Sequence, residues 1–332
     1  MEKIRAVILA GGSGERFWPL STPERPKQFL NVFGGESLIR QSVSRLAGIV
    51  SPEDVFVVTS AALVGATRRE LPEIPRRNIA GEPMRRDTGA AVALGVGMAS
   101  RDGDPVVAVF SSDQLVSDRR RFAAVLRKAC SVARRKDAIT TIGIKPAYPS
   151  TAFGYVDPRR GVFVEKPDAA KAKKFVKAGY LWNAGMFIAR ASVFRSALGR
   201  FAPDLLPLAE DPPRSRAALD AKYASLERIS FDYAVMEPLS KSGGVAVTPG
   251  DFGWDDVGGF AAFDRYFPHD KNGNVLEGSC NVVDSEGNIC VVRAAGISLL
   301  GVKNLVVVTT PDYVLVADKS KLGDMKKLFK KG

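Results

Sequence analysis

A glycine-rich stretch near the start of the chain has the composition of a loop that binds phosphate. It directly follows an apolar run, residues 6–10 (AVILA), that is typical of a buried strand. Because glycine has no Cβ, the backbone N–H groups of such a loop can approach the oxygens of a ligand. Arg16 and Lys27 supply positive charge along the same segment. The residues of this phosphate loop, as we define it, are Leu9, Ala10, Gly11, Gly12, Ser13, Gly14, Glu15, Arg16 and Lys27.

The phosphate loop differs from the common nucleotide motifs. A Walker loop would place Gly-Lys-Ser/Thr directly after the turn, and a dinucleotide fingerprint would have its third glycine where Phe17 stands. Generic motifs therefore leave the ligand of this loop undefined.

Two acidic positions could hold a divalent cation that offsets the charge of a polyphosphate. Asp113 comes after a strand-like run, residues 105–110 (PVVAVF), and two serines. A turn former or helix N-cap would also suit that position. The second carboxylate is expected in the glycine-flanked stretch 253–258, which contains Asp255 and Asp256. Hard oxygen ligands of this kind predict Mg²⁺ or another divalent cation as the cofactor.

Apolar runs alternate with amphipathic stretches through the first part of the chain. Runs that are apolar on both faces and separated by helices predict a parallel sheet covered by helices, a doubly wound α/β fold. The predicted strands are residues 6–10, 55–59, 105–110 and 139–144, and the predicted helices are residues 37–49, 61–71 and 121–135. Ligands of such sheets bind beyond the carboxyl ends of the strands, and the phosphate loop and Asp113 both follow strand ends.

The elements mix less regularly between residues 153 and 266. A hairpin is predicted from residues 153–156 and 162–164, followed by a helix over 169–178. We expect this part of the chain to close over the sheet as a lid.

Short β runs separated by turns replace this pattern from about residue 272. They recur roughly every eight to ten residues, a spacing compatible with a small β-helix or with consecutive hairpins. A basic helix is predicted at the end of the chain. We expect two domains, residues 1–270, with parts at about 1–145 and 146–270, and residues 271–332. Because short strands leave open edges, the second is expected to pack on the first or on a second subunit, which favours a homodimer.

Composition limits the class of protein. The chain has 332 residues, of which 45% are hydrophobic and 25% charged, as in an ordinary soluble globular protein. No apolar run approaches the roughly 20 residues of a membrane span, and the first strand begins too early for a signal peptide. The only histidine, His269, argues against His-based zinc sites and a Ser-His-Asp triad. Three cysteines without metal-ligand spacing predict reduced structural thiols. The lack of a span and of a signal peptide predicts a cytoplasmic location.

The formal charge of +12 raises the question of nucleic acid as a partner. The basic clusters mostly flank predicted helices and lack interleaved aromatic residues on which bases could stack. We therefore predict no nucleic-acid partner, and a positive field that attracts anionic substrates.

A long string in the first thirty residues carries a family resemblance. Residues 9–30, LAGGSGERFWPLSTPERPKQFL, resemble the signature of the sugar-nucleotide pyrophosphorylases, and the Trp18-Pro19 and Gln28-Phe29-Leu30 portions are similar to the mannose-1-phosphate guanylyltransferase branch. The resemblance implies a Rossmann-like mixed sheet of the nucleotide-diphospho-sugar transferase type and a β-helix-like C-terminal domain. It also implies one activity, the metal-assisted attack of mannose 1-phosphate on the α-phosphorus of GTP, giving GDP-mannose and pyrophosphate. A related transferase for another base or sugar, or a non-catalytic subunit of the same fold, is the alternative.

Further segments similar to the family supply candidate site residues, whose roles are implied by the resemblance. A carboxylate at Glu82 suits guanine, since it can accept hydrogen bonds from the N1–H and 2-amino groups together. Beyond the phosphate loop, the nucleotide-binding candidates are Glu82, Pro83, Thr88, Ala90, Ser112 and Asp113. The sugar-phosphate candidates are Gly154, Tyr155, Glu165, Lys166, Asn183, Gly185, Asp232 and Asp256.

Charged residues among these candidates would carry the reaction. Asp113 and Asp256 are the expected metal ligands, Lys166 would hold the sugar phosphate, and Arg16 and Lys27 would stabilise the departing pyrophosphate. Three positions depart from the family pattern: Gln114 stands where histidine is frequent, Asp87 where asparagine is usual, and Asp255 adds a carboxylate beside Asp256.

Overall fold

The structure is a computed structural model that describes residues 3–12 and 14–329. Its internal contacts divide the chain into two compact units, each built from two segments. Unit 1 comprises Met1–Gly11 and Ile39–Asp255, and unit 2 comprises Gly12–Leu38 and Asp256–Gly332. The phosphate loop therefore begins in unit 1 and continues in unit 2. The predicted domain boundary between residues 270 and 271 stays a prediction.

A mixed sheet forms the centre of unit 1. Its strands run in the order β10-β6-β9-β4-β1-β2-β3, with β7 and β8 attached beside β9. The strands of unit 1 are β1 (Ile4–Ala10), β2 (Val55–Ser60), β3 (Ile79–Glu82), β4 (Val106–Ser111), β5 (Leu115–Val116), β6 (Ile139–Ile144), β7 (Tyr155–Val156), β8 (Phe163–Val164), β9 (Leu181–Arg190), β10 (Val245–Gly250) and β11 (Trp254–Asp255). The predicted strands are all present, and β6 has the predicted bounds.

Two groups of parallel strands are joined by one antiparallel strand. β1 pairs in parallel with β2 and β4, and β10 pairs in parallel with β6. β9 lies between β4 and β6 and is antiparallel to both. The mixed sheet implied by the resemblance is thus confirmed, whereas the parallel sheet expected from apolar runs alone is incomplete. Residues 181–190, in the part expected to cover the sheet as a lid, instead form a central strand.

Helices surround this sheet. They are α1 (Leu38–Ser44), α2 (Val64–Glu70), α3 (Asp87–Ala99), α4 (Arg119–Arg135), α5 (Ala169–Lys177), α6 (Ala191–Phe201), α7 (Leu206–Glu210), α8 (Arg216–Ala224) and α9 (Glu237–Lys241), the last preceded by a π-helical turn, Asp232–Met236. The three helices predicted from amphipathic stretches correspond to α1, α2 and α4. α1 is shorter than the predicted helix over 37–49, because turns follow Ser44. Within the described residues, no helix is both long and apolar enough to cross a membrane.

α3 is a deeply buried helix, and it begins five residues after Glu82. A Cβ on Gly95 would lie 2.3 Å from Cγ1 of Val7, and one on Gly97 would lie 2.1 Å from the carbonyl oxygen of Leu208. Larger residues at these two positions would push α3 away from β1 and α7. The small residues therefore keep the C-terminal half of α3 close to β1 and α7.

Unit 2 contains a small parallel β-helix. Its strands are β12 (Val275–Glu277), β13 (Cys280–Val283), β14 (Ile289–Val292), β15 (Ile297–Leu300), β16 (Leu305–Thr309) and β17 (Val314–Asp318). β12, β14 and β16 stack in parallel, as do β13 and β15, and only β17 returns antiparallel to β16. Parallel pairing of strands from successive turns excludes consecutive hairpins. The predicted basic helix is present as a 3₁₀ helix, Lys319–Phe329.

Buried asparagines connect the turns of this β-helix. The Asn288 amide donates to the side-chain oxygen of Asn274 at 2.9 Å, and Asn274 donates to the carbonyl of Ser285 at 3.0 Å. The backbone N–H of Leu305 donates in turn to the Asn288 side-chain oxygen at 2.9 Å. Because both asparagines are fully buried, these bonds satisfy polar groups whose burial would otherwise be costly.

Aromatic packing anchors the segment 12–38 within unit 2. The rings of Phe17 and Phe260 are 5.6 Å apart, and those of Phe33 and Phe263 are 5.4 Å apart. The ring of Trp18, beside a cis peptide bond to Pro19, lies 5.1 Å from that of Tyr313. Aromatic contacts with the C-terminal part of the chain therefore hold the segment 12–38 in place.

Candidate active site

The unit 2 part of the phosphate loop brings together four of the predicted residues. Gly14 has φ of +65°, and a Cβ there would lie 2.4 Å from the Lys27 backbone nitrogen, so this position requires glycine. The Lys27 ammonium is buried and donates to the carbonyl oxygen of Asp256 at 2.7 Å. The Arg16 guanidinium lies 3.8 Å from the Asp256 carboxylate. Ser13 lies outside the described residues.

Lys27 has a structural contact in addition to the catalytic role predicted for it. A lysine ammonium carries three N–H donors, so the bond to Asp256 is compatible with a further contact to phosphate. The same bond ties the phosphate loop to the stretch after β11. Gly258 contributes to this arrangement, because a Cβ there would lie 2.8 Å from Nη1 of Arg16.

The unit 1 end of the loop lies against a buried carboxylate. A Cβ on Gly11, directly after β1, would lie 3.4 Å from Oε2 of Glu82, the last residue of β3. The Tyr223 hydroxyl of α8 donates to Oε1 of Glu82 at 3.2 Å. Burial raises the pKa of Glu82 to about 7, the Tyr223 bond acts to lower it, and the Asp87 charge raises it further. The structure therefore places a carboxyl that titrates near neutrality next to the loop.

Glu82→Gln is expected to stabilise the folded protein at alkaline pH. The Glu82 pKa rises from 4.5 to about 7 on folding, so the folded state binds the proton more tightly and wild-type stability falls as pH rises between those values. Glutamine cannot ionise, so it avoids the cost of burying a carboxylate at this position. A pKa shift of this size corresponds to about 3 kcal/mol of unfolding free energy. Urea unfolding at pH 8 should show the variant gaining most of that difference, with little gain at pH 4. Equal differences at both pH values would contradict the assignment.

Other predicted nucleotide-binding residues have structural roles. The Thr88 hydroxyl accepts a hydrogen bond from the Phe231 backbone N–H at 2.9 Å. Ala90 is fully buried in the core, so its side chain is not presented to a ligand. The Ser112 N–H donates to the Leu9 carbonyl at 3.0 Å, which links the Asp113 turn to β1. Ala10 is buried within β1, and Pro83 follows β3 and is partly buried.

A buried arginine supports the turn that carries Asp113. The Arg45 guanidinium is 4% exposed and donates to the carbonyl oxygens of Ser111 at 3.3 Å and Gln114 at 3.1 Å. Burial lowers the pKa of Arg45 to about 10, against the opposing effect of the Asp113 charge. The Ser111 hydroxyl donates to Asp113 at 2.5 Å. Nothing in the spacing of the sequence singles out Arg45, whose function depends on its position beneath the turn.

Gln114, a departure from the family pattern, joins three elements of unit 1. Its amide donates to the Ala184 carbonyl of β9 at 2.8 Å, and its side-chain oxygen accepts from the Trp254 indole of β11 at 3.0 Å. Next to Ala184, Gly185 has φ of +66°, a conformation that favours glycine. Gln114 thus fixes the Asp113 turn relative to the strand that carries Asn183.

The sugar-phosphate candidates converge around Asn183. Its amide donates to Asp232 at 2.9 Å, and its side-chain oxygen accepts from the Thr141 hydroxyl at 2.7 Å. The Lys166 ammonium lies 2.9 Å from Oε1 of Glu165. Tyr155, in contrast, is fully buried and donates to the Ser150 carbonyl at 2.9 Å, so it supports the fold and its hydroxyl is already engaged.

Charges in this cluster influence one another. Burial and the Glu165 carboxylate raise the pKa of Asp232, while Lys166 acts to lower it. Burial acts to lower the pKa of Lys166, but the hydrogen bond and charge of Glu165, with the charge of Asp232, raise it above its usual range. Lys166 therefore remains a cation between two carboxylates, ready to bind an anion.

One atom of the cluster is suited to a sugar hydroxyl. Oε2 of Glu165 is buried and has no hydrogen-bond partner among the described residues. A Cβ on Gly154 would lie 2.5 Å from this oxygen, so only glycine permits the carboxylate to occupy its position. A buried acceptor without a partner is costly unless a ligand supplies a donor.

The metal prediction is compatible with the carboxylates present. Within residues 3–12 and 14–329, no group of three or more His, Cys, Asp or Glu side chains could hold a metal ion. Mg²⁺ usually takes only one or two protein carboxylates and completes its shell with substrate phosphates and water. Asp113 and Asp256 each carry a carboxylate, the kind of hard oxygen donor that this chemistry requires.

Comparison with known proteins gives matches along nearly the whole chain. Residues 5–272 match the family model described as nucleotidyl transferase. Residues 278–331 match a second model, described as a MannoseP isomerase/GMP-like beta-helix domain. The chain therefore contains the α/β nucleotidyltransferase fold followed by a β-helix domain, as the resemblance implied.

Individual relatives within the nucleotidyl transferase family are more specific than the family model. Mannose-1-phosphate guanylyltransferase of Klebsiella pneumoniae is 35% identical over 97% of this chain and 72% of its own length. The Escherichia coli protein of the same name is 33% identical over 98% of this chain and 73% of its own length. A solved structure described as mannose-1-phosphate geranyltransferase from Thermus thermophilus has a TM-score of 0.88 and 34% identity, covering 99% of each chain.

The fold and the site define a nucleotidyltransferase that acts on a sugar 1-phosphate. Within that class, the chain belongs to the mannose-1-phosphate guanylyltransferase family. The family resemblance and the prediction of an enzyme are confirmed, and the non-catalytic subunit is set aside.

Proposed function

We propose that the chain transfers GMP from GTP to mannose 1-phosphate, forming GDP-mannose and pyrophosphate. The names of its relatives support this choice of substrates, and one structural observation carries the choice of base. The buried Glu82 carboxylate, next to Gly11, is an acceptor for the paired N1–H and 2-amino donors of guanine. Such a site disfavours a base lacking those donors, because the buried acceptor would then stay unsatisfied.

The sugar-phosphate cluster would hold the nucleophile. Glu165 and Asn183 bind sugar hydroxyls, and Lys166 binds the phosphate. A phosphate monoester has a second pKa of about 6, so it is largely ionised at neutral pH and needs no general base. This is consistent with a reaction in which positioning and charge compensation supply most of the catalysis.

The phosphate loop would stabilise the leaving group. Its backbone N–H groups, Arg16 and Lys27 face the negative charge that develops on pyrophosphate. Asp113 and Asp256 are the proposed ligands of Mg²⁺, which when bound would offset the charge on the reacting phosphates. That both aspartates serve one ion is a proposal based on the sequence resemblance. We also propose that the enzyme acts in the cytoplasm, where its three free cysteines would stay reduced.

A matrix of substrates tests the proposal. GTP, ATP, UTP and dTTP are each combined with mannose 1-phosphate and glucose 1-phosphate, and pyrophosphate release is measured with and without Mg²⁺. The GTP and mannose 1-phosphate pair should give the highest kcat/KM, and omission of Mg²⁺ should abolish turnover. A higher kcat/KM with another nucleotide would refute the assignment of the base, and a preference for glucose 1-phosphate would refute that of the sugar.

A homodimer is also proposed, and exposed apolar residues of the β-helix support it. Leu300 of β15 and Val314 and Val316 of β17 are 73%, 65% and 61% exposed. Exposed apolar side chains on short strands are typical of a surface covered by a partner. Val314→Glu with Val316→Glu should convert the dimer to a monomer in analytical ultracentrifugation. Tyr148→Glu, a change at an exposed aromatic residue of unit 1, should remain dimeric. A monomeric wild-type protein at micromolar concentration would overturn the proposal.

A further inference from the structure

Tyr223 is the buried partner of the carboxylate proposed to read the base. It lies on α8 with no exposed surface, and its hydroxyl donates to Oε1 of Glu82 at 3.2 Å. The other carboxylate oxygen, Oε2, faces Gly11. Since each carboxylate oxygen can accept more than one hydrogen bond, the tyrosine leaves acceptor capacity on both oxygens.

A second set of bonds fixes the distance between Tyr223 and the Glu82 segment. The Arg86 guanidinium donates to the carbonyl oxygens of Tyr223 at 2.8 Å and Ala224 at 3.1 Å. Arg86 follows Glu82 closely in the chain, so both ends of this short segment are tied to the end of α8. The orientation of the carboxylate is therefore set by α8 as well as by β3.

Asp87 and Tyr223 act on the Glu82 pKa in opposite directions. Asp87 favours the neutral carboxyl, and Tyr223 favours the carboxylate. Asp87, at the start of α3, is a like charge that raises the Glu82 pKa, and burial acts in the same direction. The Arg86 guanidinium is engaged with the α8 carbonyls. On the other side of Glu82, its Oε2 lies next to Gly11, which has no side chain. The Tyr223 hydroxyl is thus the group that stabilises the carboxylate form through a hydrogen bond.

We propose that Tyr223 is a positioning residue that orients Glu82 toward the Gly11 end of β1 and stabilises its carboxylate form by a hydrogen bond, and thereby determines selectivity for guanine. This inference rests on the proposed function of Glu82. An ionised carboxylate accepts both N–H donors of guanine, whereas a protonated one has an O–H donor that opposes one of them. Removing the tyrosine hydroxyl therefore weakens binding of GTP more than binding of ITP, which lacks the 2-amino group.

The test compares Tyr223→Phe with wild type in steady-state kinetics between pH 6 and 9. The variant should raise the KM for GTP about tenfold at pH 7, as expected for loss of a hydrogen bond to a charged group, with kcat within about threefold. The preference for GTP over ITP should fall, and the acidic limb of log(kcat/KM) should move to higher pH. Tyr180→Phe is the matched control, because Tyr180 stacks on Phe175 in the same unit and should behave as wild type.

A double-mutant cycle separates this inference from the function proposed for Glu82. Glu82→Gln alone should lower the preference for GTP over ITP and flatten the acidic limb. Adding Tyr223→Phe to that variant should then produce no further change, since the tyrosine acts through the carboxylate. If Glu82→Gln leaves both readouts unchanged, the base-reading role of Glu82 is wrong.

The remaining outcomes decide the role of Tyr223 itself. If Glu82→Gln has its expected effect but Tyr223→Phe leaves the acidic limb and the GTP preference unchanged, the positioning role is overturned. Equal effects of Tyr223→Phe in both backgrounds would also overturn it, as they would indicate a general loss of packing. The Glu82 carboxyl band in isotope-edited infrared spectra, titrated without substrate, should shift to higher pH in folded Tyr223→Phe. An unshifted band would contradict the inference without reference to activity.

Discussion

Asp113→Asn is expected to lower kcat by about 10³ while leaving the fold intact. The substitution removes a negative charge proposed to bind Mg²⁺, and losing one preorganised electrostatic contact typically costs about 10² to 10³ in rate. Asparagine has nearly the same shape, so the Ser111 hydroxyl can still donate to its side-chain oxygen. The melting temperature should stay within about 2 °C of wild type.

The support of the turn explains why this substitution is expected to spare stability. Arg45 binds the carbonyl oxygens of Ser111 and Gln114, and Gln114 binds β9, so the backbone is held without the carboxylate. Pyrophosphate release measures turnover, and Mn²⁺ electron paramagnetic resonance in the presence of GTP measures metal binding. Both should be impaired.

An exposed aspartate in the same unit provides the control for Asp113→Asn. Asp251 is exposed and has Arg121 as a partner at 3.4 Å, so Asp251→Asn should have wild-type turnover and metal binding. Turnover of Asp113→Asn within threefold of wild type would remove Asp113 from the proposed mechanism.

Lys166→Met is expected to lower kcat/KM for mannose 1-phosphate by about 10² to 10³. Lys166 is the cation paired with Glu165 and acts on Asp232 as well. Without it, the Glu165 carboxylate would face an incoming phosphate dianion with no cation beside it, so repulsion is added to the lost attraction. The KM for GTP should change by less than threefold, because the guanine-reading residues are untouched.

Varying each substrate in turn measures this effect. Lys171→Met is a matched control, since Lys171 is an exposed lysine of unit 1 paired with Asp168 at 3.3 Å. The control should retain wild-type constants for both substrates. A rise in the KM for GTP alone would show that Lys166 belongs to the nucleotide side, contrary to the proposal.

Local sequence patterns were sufficient for many elements of unit 1. The run 139–144 forms β6 with those bounds, and the stretch 121–135 lies within α4. These features depend on the burial pattern and helix propensity of neighbouring residues, which the sequence contains directly. The position of β9 depends instead on pairing with distant strands. Its apolar run does not specify whether it covers the sheet or joins it.

In unit 2, too, the strands could be predicted from local sequence, but their pairing could not. Short apolar runs predicted the strands from residue 272 onward, but a hairpin and a β-helix use strands of the same composition. Only the pairing of β12 with β14 and β14 with β16 distinguishes them. Similarly, the glycines of the phosphate loop predicted a close approach of backbone, while the contact that requires Gly14 is made by Lys27, thirteen positions later.

The sequence by itself determined the family, the phosphate loop and the charged residues proposed for catalysis, because these depend on residue types at short spacing. The tertiary structure decided how those residues are supported. It placed Arg45 beneath the Asp113 turn and Tyr223 against Glu82, and it buried the side chains of Tyr155 and Ala90 in the interior of unit 1. Burial and the neighbours brought by folding set the pKa of a carboxyl such as Glu82, and neither can be read from positions so distant along the chain.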